Sequence, residues 1–319
     1  MGKLVDGIWR DDSFQETASD GSFVRNAAQF RNWVTADGTA GPSGRAGFKA
    51  EAGRYHLYLS HACPWAHRTL IFRSLKGLEN MIGVTVVEPI SLEHGWEIKD
   101  QSGPVADARY AYDIYTTADP AYSGRVTVPI LWDQVQSTIV SNESSEIIRM
   151  FNSAFDDVGA KPGDYYPEHL QTEIDAVNNA IYSNINNGVY RCGFARSQDA
   201  YEQAFEALFK TLDEMDTRLS SRRYLMGNQL TEADWRFFTT LVRFDPVYVG
   251  HFKCNKRRIA DYPHLSGYVR DLYQHDGIAD TVFMDHIKTH YYGSHESINP
   301  NRIVPVGPDQ DLGAPHGRG

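Results

Sequence analysis

The residues best suited to chemistry are His61-Ala62-Cys63-Pro64-Trp65-Ala66-His67. A cysteine directly before a helix-starting proline sits at the N-cap. Free backbone N–H groups and the positive end of the helix dipole there stabilise a thiolate and lower its pKa. The competing reading is a buried, inert cysteine, the usual fate of a free thiol. Residue 66, where a Cys-x-x-Cys pair would carry its second sulfur, is alanine, so any redox cycle through Cys63 needs a thiol from outside. A zinc site takes three or four ligands at set spacings, and only the pair His61 and His67 comes near one, so no metal is expected. Gly41, Gly44 and Gly47 are not followed by Lys-Ser/Thr and read as turns; G-x-S-x-G and H-E-x-x-H are absent.

The elements around Cys63 form a βαβ unit. Tyr55, Leu57 and Leu59 alternate with His56, Tyr58 and Ser60, the period of a strand. Pro64 suits the first helical position, and Ala66, Leu70, Ile71 and Leu75 continue at helical spacing to Gly77. Ile82 to Glu88 is a second strand. Residues 91–124, with Gly95, Gly103, Pro104, Pro120 and Gly124, form an insertion too long for an ordinary connection. Val126–Trp132 reads as a third strand, in which Pro129 implies an edge, a bulge or a cis peptide. Thr138–Val140 is a fourth, and Ser141 or Asn142 can cap the helix that follows, where Glu143 and Glu146 suit the positive dipole end.

The domain organisation expected is an irregular extension over 1–50 that is not a core but wraps a domain or a partner subunit, an α/β domain over 51–155, an all-helical domain over 165–290 and a tail over 291–319. In the second half, Leu170, Ile174, Val177, Ile181 and Ile185 make one apolar stripe, and Tyr201, Phe205, Leu208, Leu212, Met215 and Leu219 another. Thr231 and Asp234 form a capping-box variant, with Leu230 and Trp235 as its staple. Further helices are expected near 262–274 and 279–288, before a tail composition that sets in at Gly293.

The 319 residues carry 31 Lys and Arg against 41 Asp and Glu, a net charge of −10 that disfavours nucleic acid and anionic membranes. No stretch is apolar enough for a membrane span, and Asp6, Arg10, Asp11 and Asp12 stand where a signal peptide would be apolar, so the mature chain is expected to start near Met1. Cys63, Cys192 and Cys254 are too few and scattered for a disulfide framework, which favours a reducing, cytoplasmic setting. The sequon at Asn142-Glu143-Ser144 carries no weight without a secretory route. The unusual count is 18 tyrosines, crowded at 110–122 and paired at 291–292; a tyrosine-rich cleft would suit an aromatic substrate.

Cys63-Pro64-Trp65-Ala66-His67, a Val-Pro strand, a Glu-Ser helix start and a helical second half resemble a glutathione transferase. The fold implied is α/β plus all-α: a thioredoxin-like N-terminal domain followed by an all-helical C-terminal domain. More narrowly, Cys63–Ala66, Gly124-Arg125-Val126-Thr127-Val128-Pro129 and His290-Tyr291-Tyr292-Gly293-Ser294-His295 resemble the xi class, the glutathionyl-hydroquinone reductases. The resemblance implies Cys63 as nucleophile and glutathione as co-substrate held by Trp96, Arg125, Val126, Thr127, Val128, Glu143 and Ser144. It also implies active-site tyrosines at Tyr190, Tyr248 and Tyr291, with Tyr190 as proton donor, although sequence leaves open whether Tyr291 or Tyr292 turns inward. A homodimer, and reduction of glutathionyl-hydroquinones through a Cys63–glutathione mixed disulfide, are the further implications. The alternatives are an omega-like thioltransferase or dehydroascorbate reductase using the same cysteine, and a non-catalytic ligand binder.

Overall fold

The computed structural model describes residues 2–11, 17–100 and 103–318. Asp12 and parts of the extension and insertion read from the sequence therefore lie outside the described residues. The chain divides into two compact units, one drawn from 1–14 and 26–164, the other from 15–25 and 165–319.

The first unit opens with a hairpin of β1 (Lys3–Val5) and β2 (Ile8–Arg10). Its main sheet is built from β3 (Tyr55–Leu59), β4 (Ile82–Val86), β7 (Ile130–Asp133) and β8 (Thr138–Ser141) in the order β4-β3-β7-β8. Between β4 and β7 come a short hairpin, β5 (Ser91–Leu92) and β6 (Gly95–Trp96), and a helix, α2 (Ala111–Ala118). The helix α1 (Pro64–Leu75) joins β3 to its parallel neighbour β4, and α3 (Ser144–Ser153) follows β8. β7 runs antiparallel to both β3 and β8.

The alternation in β3 suggests one buried face, yet all five of its residues are buried. The insertion supplies the reason. Ala111, Ile114 and Tyr115 of α2 pack with Tyr58, Ile130, Trp132 and Ile139 of the sheet in one apolar cluster. The stretch that reads as a long loop is thus a covering layer. Its helix starts at a capping box in which the Asp113 carboxylate accepts from the backbone N–H of Tyr110. Part of the extension lies against the sheet. Leu4, Val34, Phe48 and Ala50 are buried, and Asn32 N donates to Val140 O at 2.9 Å, pairing the extension with the outer strand β8. A bare sheet edge is a liability, and this segment covers it.

The second unit contains α4 (Gln171–Ile181), α5 (Gly188–Gly193), α6 (Gln198–Leu219), α7 (Glu232–Arg243), α8 (Leu265–Tyr273) and α9 (Met284–Ser294). Every residue of α7 is buried, as expected of a helix packed on all sides. The Thr231–Asp234 capping box forms, and the buried Asp234 carboxylate also accepts from Leu225 N and the Tyr268 hydroxyl. The last two helices begin later than the sequence suggests, at Leu265 and Met284; a 3-10 turn at Ile259–Asp261 precedes the first, and another at Ala279–Thr281 occupies the expected start of the second. α9 also continues to Ser294, past the onset of tail-like composition, and Asn299 Nδ2 donates to the Tyr292 carbonyl near its end at 2.8 Å.

Two π-helical turns, at Tyr182–Asn186 and Phe244–Tyr248, interrupt this regular pattern. The second contains Pro246, which has no N–H to donate and clashes with the carbonyl four residues back, so the helix widens there. Val249 N accordingly reaches back five residues to Phe244 O at 3.0 Å.

Candidate active site

In the first unit, β3 ends at Leu59 and the chain turns through Ser60–Ala62 into α1. Cys63 is the N-cap of that helix, with extended backbone (φ −74°, ψ 121°), and its carbonyl accepts from His67 N at 2.9 Å. Its thiol is partly exposed and points at the carbonyl oxygen of Val128, 3.5 Å away. The Val128–Pro129 peptide is cis, one of the options the proline left open. The expected strand over Val126–Trp132 is correspondingly shorter, since its ladder starts only at Ile130.

The backbone at Thr127 is held by the insertion. The buried Tyr115 hydroxyl donates to Thr127 O at 2.9 Å and accepts from Thr127 N at 3.2 Å and from Asn142 Nδ2 at 2.9 Å. Burial raises the Tyr115 pKa above its ordinary value, which keeps the hydroxyl a donor. Tyr122 donates in the same way to Arg125 O at 3.1 Å. Neither tyrosine was singled out as a site residue from the sequence; the crowding of tyrosines at 110–122 was the available signal. Val126 and Trp96 pack at the margin of the apolar cluster.

The start of α3 corrects one expectation. Its N-cap is Glu143, not Ser141 or Asn142. β8 keeps Ser141 in the ladder, where its hydroxyl accepts from Glu143 N at 3.1 Å, and Asn142 is turned toward Tyr115. The Glu143 carboxylate accepts from Ser145 N at 3.0 Å and from the Ser145 hydroxyl at 2.7 Å. Ser144 is buried, with Arg68 Nη1 of α1 3.5 Å from its hydroxyl. Arg68 is itself buried, with its guanidinium 4.5 Å from the Trp65 ring centre. This link between the helix of Cys63 and that of Ser144 has no local signal in the sequence, since Arg68 and Ser144 lie 76 residues apart.

In the second unit, the three expected tyrosines come together. The Tyr291 hydroxyl lies 2.6 Å from that of Tyr190 and 2.9 Å from that of Tyr248. Tyr291 is thus the inward ring of the adjacent pair, whereas the Tyr292 hydroxyl donates to Pro246 O at 3.2 Å. Both π-helical turns serve this cluster: one ends just before α5, which carries Tyr190, and the other presents Tyr248. Gly193 lets α5 approach Phe252, since a Cβ there would fall 2.1 Å from that ring. Phe252 stacks on Tyr248 with ring centres 5.5 Å apart. Burial, reinforced by the Tyr190 phenol, holds Tyr248 and Tyr291 well above the usual tyrosine pKa, so both are phenols near neutrality. Tyr190 is the partly exposed end of this chain of hydroxyls.

Cys192 and Cys254 are both buried in this unit. Burial, then the neighbouring Cys192 thiol, pushes the Cys254 thiol well up, which suits an unreactive thiol. Among the described residues no group of three or more His, Cys, Asp or Glu is arranged to hold a metal ion. Nor is any helix among them long and apolar enough to cross a membrane.

A thioredoxin-like first unit with an N-cap cysteine and an all-helical second unit are the two parts of the glutathione transferase fold. The glutathione S-transferase N-terminal domain family matches residues 62–154, and the C-terminal domain family matches 198–271. Over 100% of its length the chain is 58% identical to glutathionyl-hydroquinone reductase YqjG of Escherichia coli, covering 98% of that protein. It is 55% identical to glutathionyl-hydroquinone reductase PcpF of Sphingobium chlorophenolicum, covering 98% of each chain. A glutathione-bound structure of YqjG superimposes with a TM-score of 0.91 over 99% of both chains, at 57% identity. The xi-class enzyme of Natrialba magadii does so with 0.92 over 100% of this chain and 97% of the other, at 51% identity. The chain belongs to the xi class of glutathione transferases, the family of the glutathionyl-hydroquinone reductases.

Proposed function

We propose that this protein is an enzyme that reduces glutathionyl-hydroquinones to hydroquinones at the expense of glutathione. The Cys63 thiolate attacks the sulfur of the aryl thioether. The carbon–sulfur bond breaks, its electron pair passes to the ring carbon, and Tyr190 delivers the proton that completes the hydroquinone. Cys63 is left in a mixed disulfide with glutathione. A second glutathione thiolate attacks that disulfide, releasing oxidised glutathione and the Cys63 thiolate.

The observation that carries this reading is the linked set of phenols at Tyr190, Tyr291 and Tyr248. Thiol–disulfide exchange needs no acid to protonate carbon, whereas cleavage of an aryl thioether does. With Tyr248 and Tyr291 held as phenols, Tyr291 can return a proton to Tyr190 once that residue has given up its own. Cys63 at a helix N-terminus is the complementary requirement, because the backbone there favours the thiolate.

Glutathione is assigned to the first unit. Val128 would pair its backbone with the cysteinyl part, and Glu143 and Ser144, at a helix N-terminus, would receive the ammonium and carboxylate of the γ-glutamyl part. Arg125 would pair with a ligand carboxylate, with Trp96, Val126 and Thr127 completing the cradle. We further assign a homodimer, and a reducing cytoplasm as its setting, which accords with Cys63, Cys192 and Cys254 forming no disulfide.

The test is chromatography of hydroquinone released from a glutathionyl-hydroquinone with added glutathione, wild type beside Cys63→Ser. Release that depends on Cys63 supports the proposal. Reduction of small disulfides without hydroquinone release would make the protein an omega-like thioltransferase and overturn the tyrosine roles.

A further inference from the structure

We propose that Arg25 is a positioning residue for the proton donor Tyr190, holding its ring and favouring loss of its proton; the inference rests on the donor reading above. Arg25 lies in the N-terminal extension, but its segment belongs to the second unit, unlike the residues on either side of that segment. The segment is fastened to the start of α6: the Ser197 hydroxyl donates to Asp20 O at 2.7 Å and Arg196 N donates to Gly21 O at 2.9 Å. Gly21 has φ +86°, and a Cβ there would press on Ser197 at 3.0 Å, so glycine is what permits this close approach.

Beyond this fastening the chain lays two side chains on Tyr190. The Phe23 ring stacks against it with centres 6.4 Å apart and also meets Phe194 at 5.5 Å. The Arg25 guanidinium lies 4.8 Å from the Tyr190 ring centre, and its Nε donates to Asn187 Oδ1 at 2.8 Å. Asn187 stands one helical turn before Tyr190, so this bond fixes the guanidinium over the ring rather than leaving it to solvent. A cation over an aromatic face is attracted to its π electrons. That attraction grows as the phenol becomes a phenolate, so the arrangement is stronger when Tyr190 has given up its proton than before. An interaction that strengthens along the reaction raises the rate, not merely the binding.

The experiment measures single-turnover release of hydroquinone by the full-length protein carrying Arg25→Gln, Arg25→Lys, Tyr190→Phe or Arg25→Gln with Tyr190→Phe. Reduction of a small disulfide through Cys63 serves as the control for folding. Arg25→Gln is expected to slow release at saturating substrate by about three- to tenfold, with half-saturation and disulfide reduction unchanged. Arg25→Lys should recover part of the loss, and Arg25→Gln should cost nothing more once Tyr190 is Phe. Wild-type release by Arg25→Gln, a change confined to half-saturation, a parallel loss of disulfide reduction, or an equal loss in the Tyr190→Phe background would each overturn the proposal. If Tyr190→Phe releases hydroquinone at the wild-type rate, the donor reading itself fails. A slow Tyr190→Phe beside a normal Arg25→Gln leaves that reading intact and removes only Arg25.

Discussion

The two units present their chemistry by different means. In the first, backbone does most of the work: the start of α1 holds Cys63, the Val128 carbonyl faces its sulfur, and the start of α3 carries Glu143 and Ser144. In the second, side chains meet side chains, through three phenols from separate segments joined at Tyr291. A backbone-built site is set by local folding and tolerates changes of neighbouring side chains. A side-chain network depends on each hydroxyl, and loss of one strands the others.

The largest effect tests the first kind of site at its single reactive atom. Cys63→Ser should lower hydroquinone release by at least about a thousandfold, as removal of a nucleophile does in enzymes that use one, while circular dichroism stays unchanged. Release within tenfold of wild type would exclude covalent catalysis by Cys63. Next comes the network. Tyr190→Phe should cost about a hundredfold or more in release, within the usual contribution of a general acid. Tyr292→Phe, whose hydroxyl bonds the Pro246 carbonyl and is not joined to Tyr291, should cost little. Equal losses from the two variants would mean that the linked hydroxyls hold the fold rather than move protons.

The same contrast explains what the sequence made legible. Cys63 could be placed because its whole context, strand, turn, proline and helix, lies within some twenty residues and obeys local rules. The tyrosines could not be placed by spacing: 190, 248 and 291 belong to segments that only tertiary packing joins, and two of them depend on π-helical turns that break the 3.6-residue period. Only likeness to a known family picked them from 18. The insertion failed for another reason. Gly103 and Pro104 mark a loop, and they outweighed Ala111, Ile114 and Tyr115, whose helical spacing was present but spans only two turns. The cap of α3 was misplaced by one or two residues because β8 runs directly into it, and strand pairing claimed Ser141 first.

Acid should weaken both units, the first through the buried His56 and the second through the buried His251 and the His295 it faces. Burial pushes His56 down to about 4, aided by Arg73, and His251 down to about 4, aided by Lys253 and His290. His56 Nε2 lies 2.8 Å from the Thr85 hydroxyl and His251 Nε2 lies 3.1 Å from His295 Nδ1. Below the ordinary histidine value of 6.5 the unfolded chain takes up protons that the folded protein refuses, so stability is complete above that pH and falls as pH drops toward 4. Each histidine should cost roughly 2 kcal/mol between pH 7 and pH 5. Urea denaturation of wild type and His56→Gln at the two pH values checks this. The variant should lose less stability on acidification than wild type does, and an identical loss would show that His56 is not the group responsible.

The smallest effect addresses the one place where the first unit also relies on a side-chain hydroxyl. Tyr115 bonds both backbone groups of Thr127 and the Asn142 amide, so Tyr115→Phe leaves three polar groups short of a partner without opening a cavity. The cost should be about 1–3 kcal/mol, read as a lower thermal midpoint. Thr127 directly precedes Val128, whose carbonyl faces Cys63, so the glutathione concentration for half-maximal turnover should rise several-fold while the rate at saturation stays near wild type. Tyr122→Phe, which gives up only the bond to Arg125 O, should do less on both measures. If Tyr115→Phe lowers the thermal midpoint and leaves the glutathione dependence unchanged, residues 126–128 keep their geometry without it, and the backbone character of the first site extends to its last element.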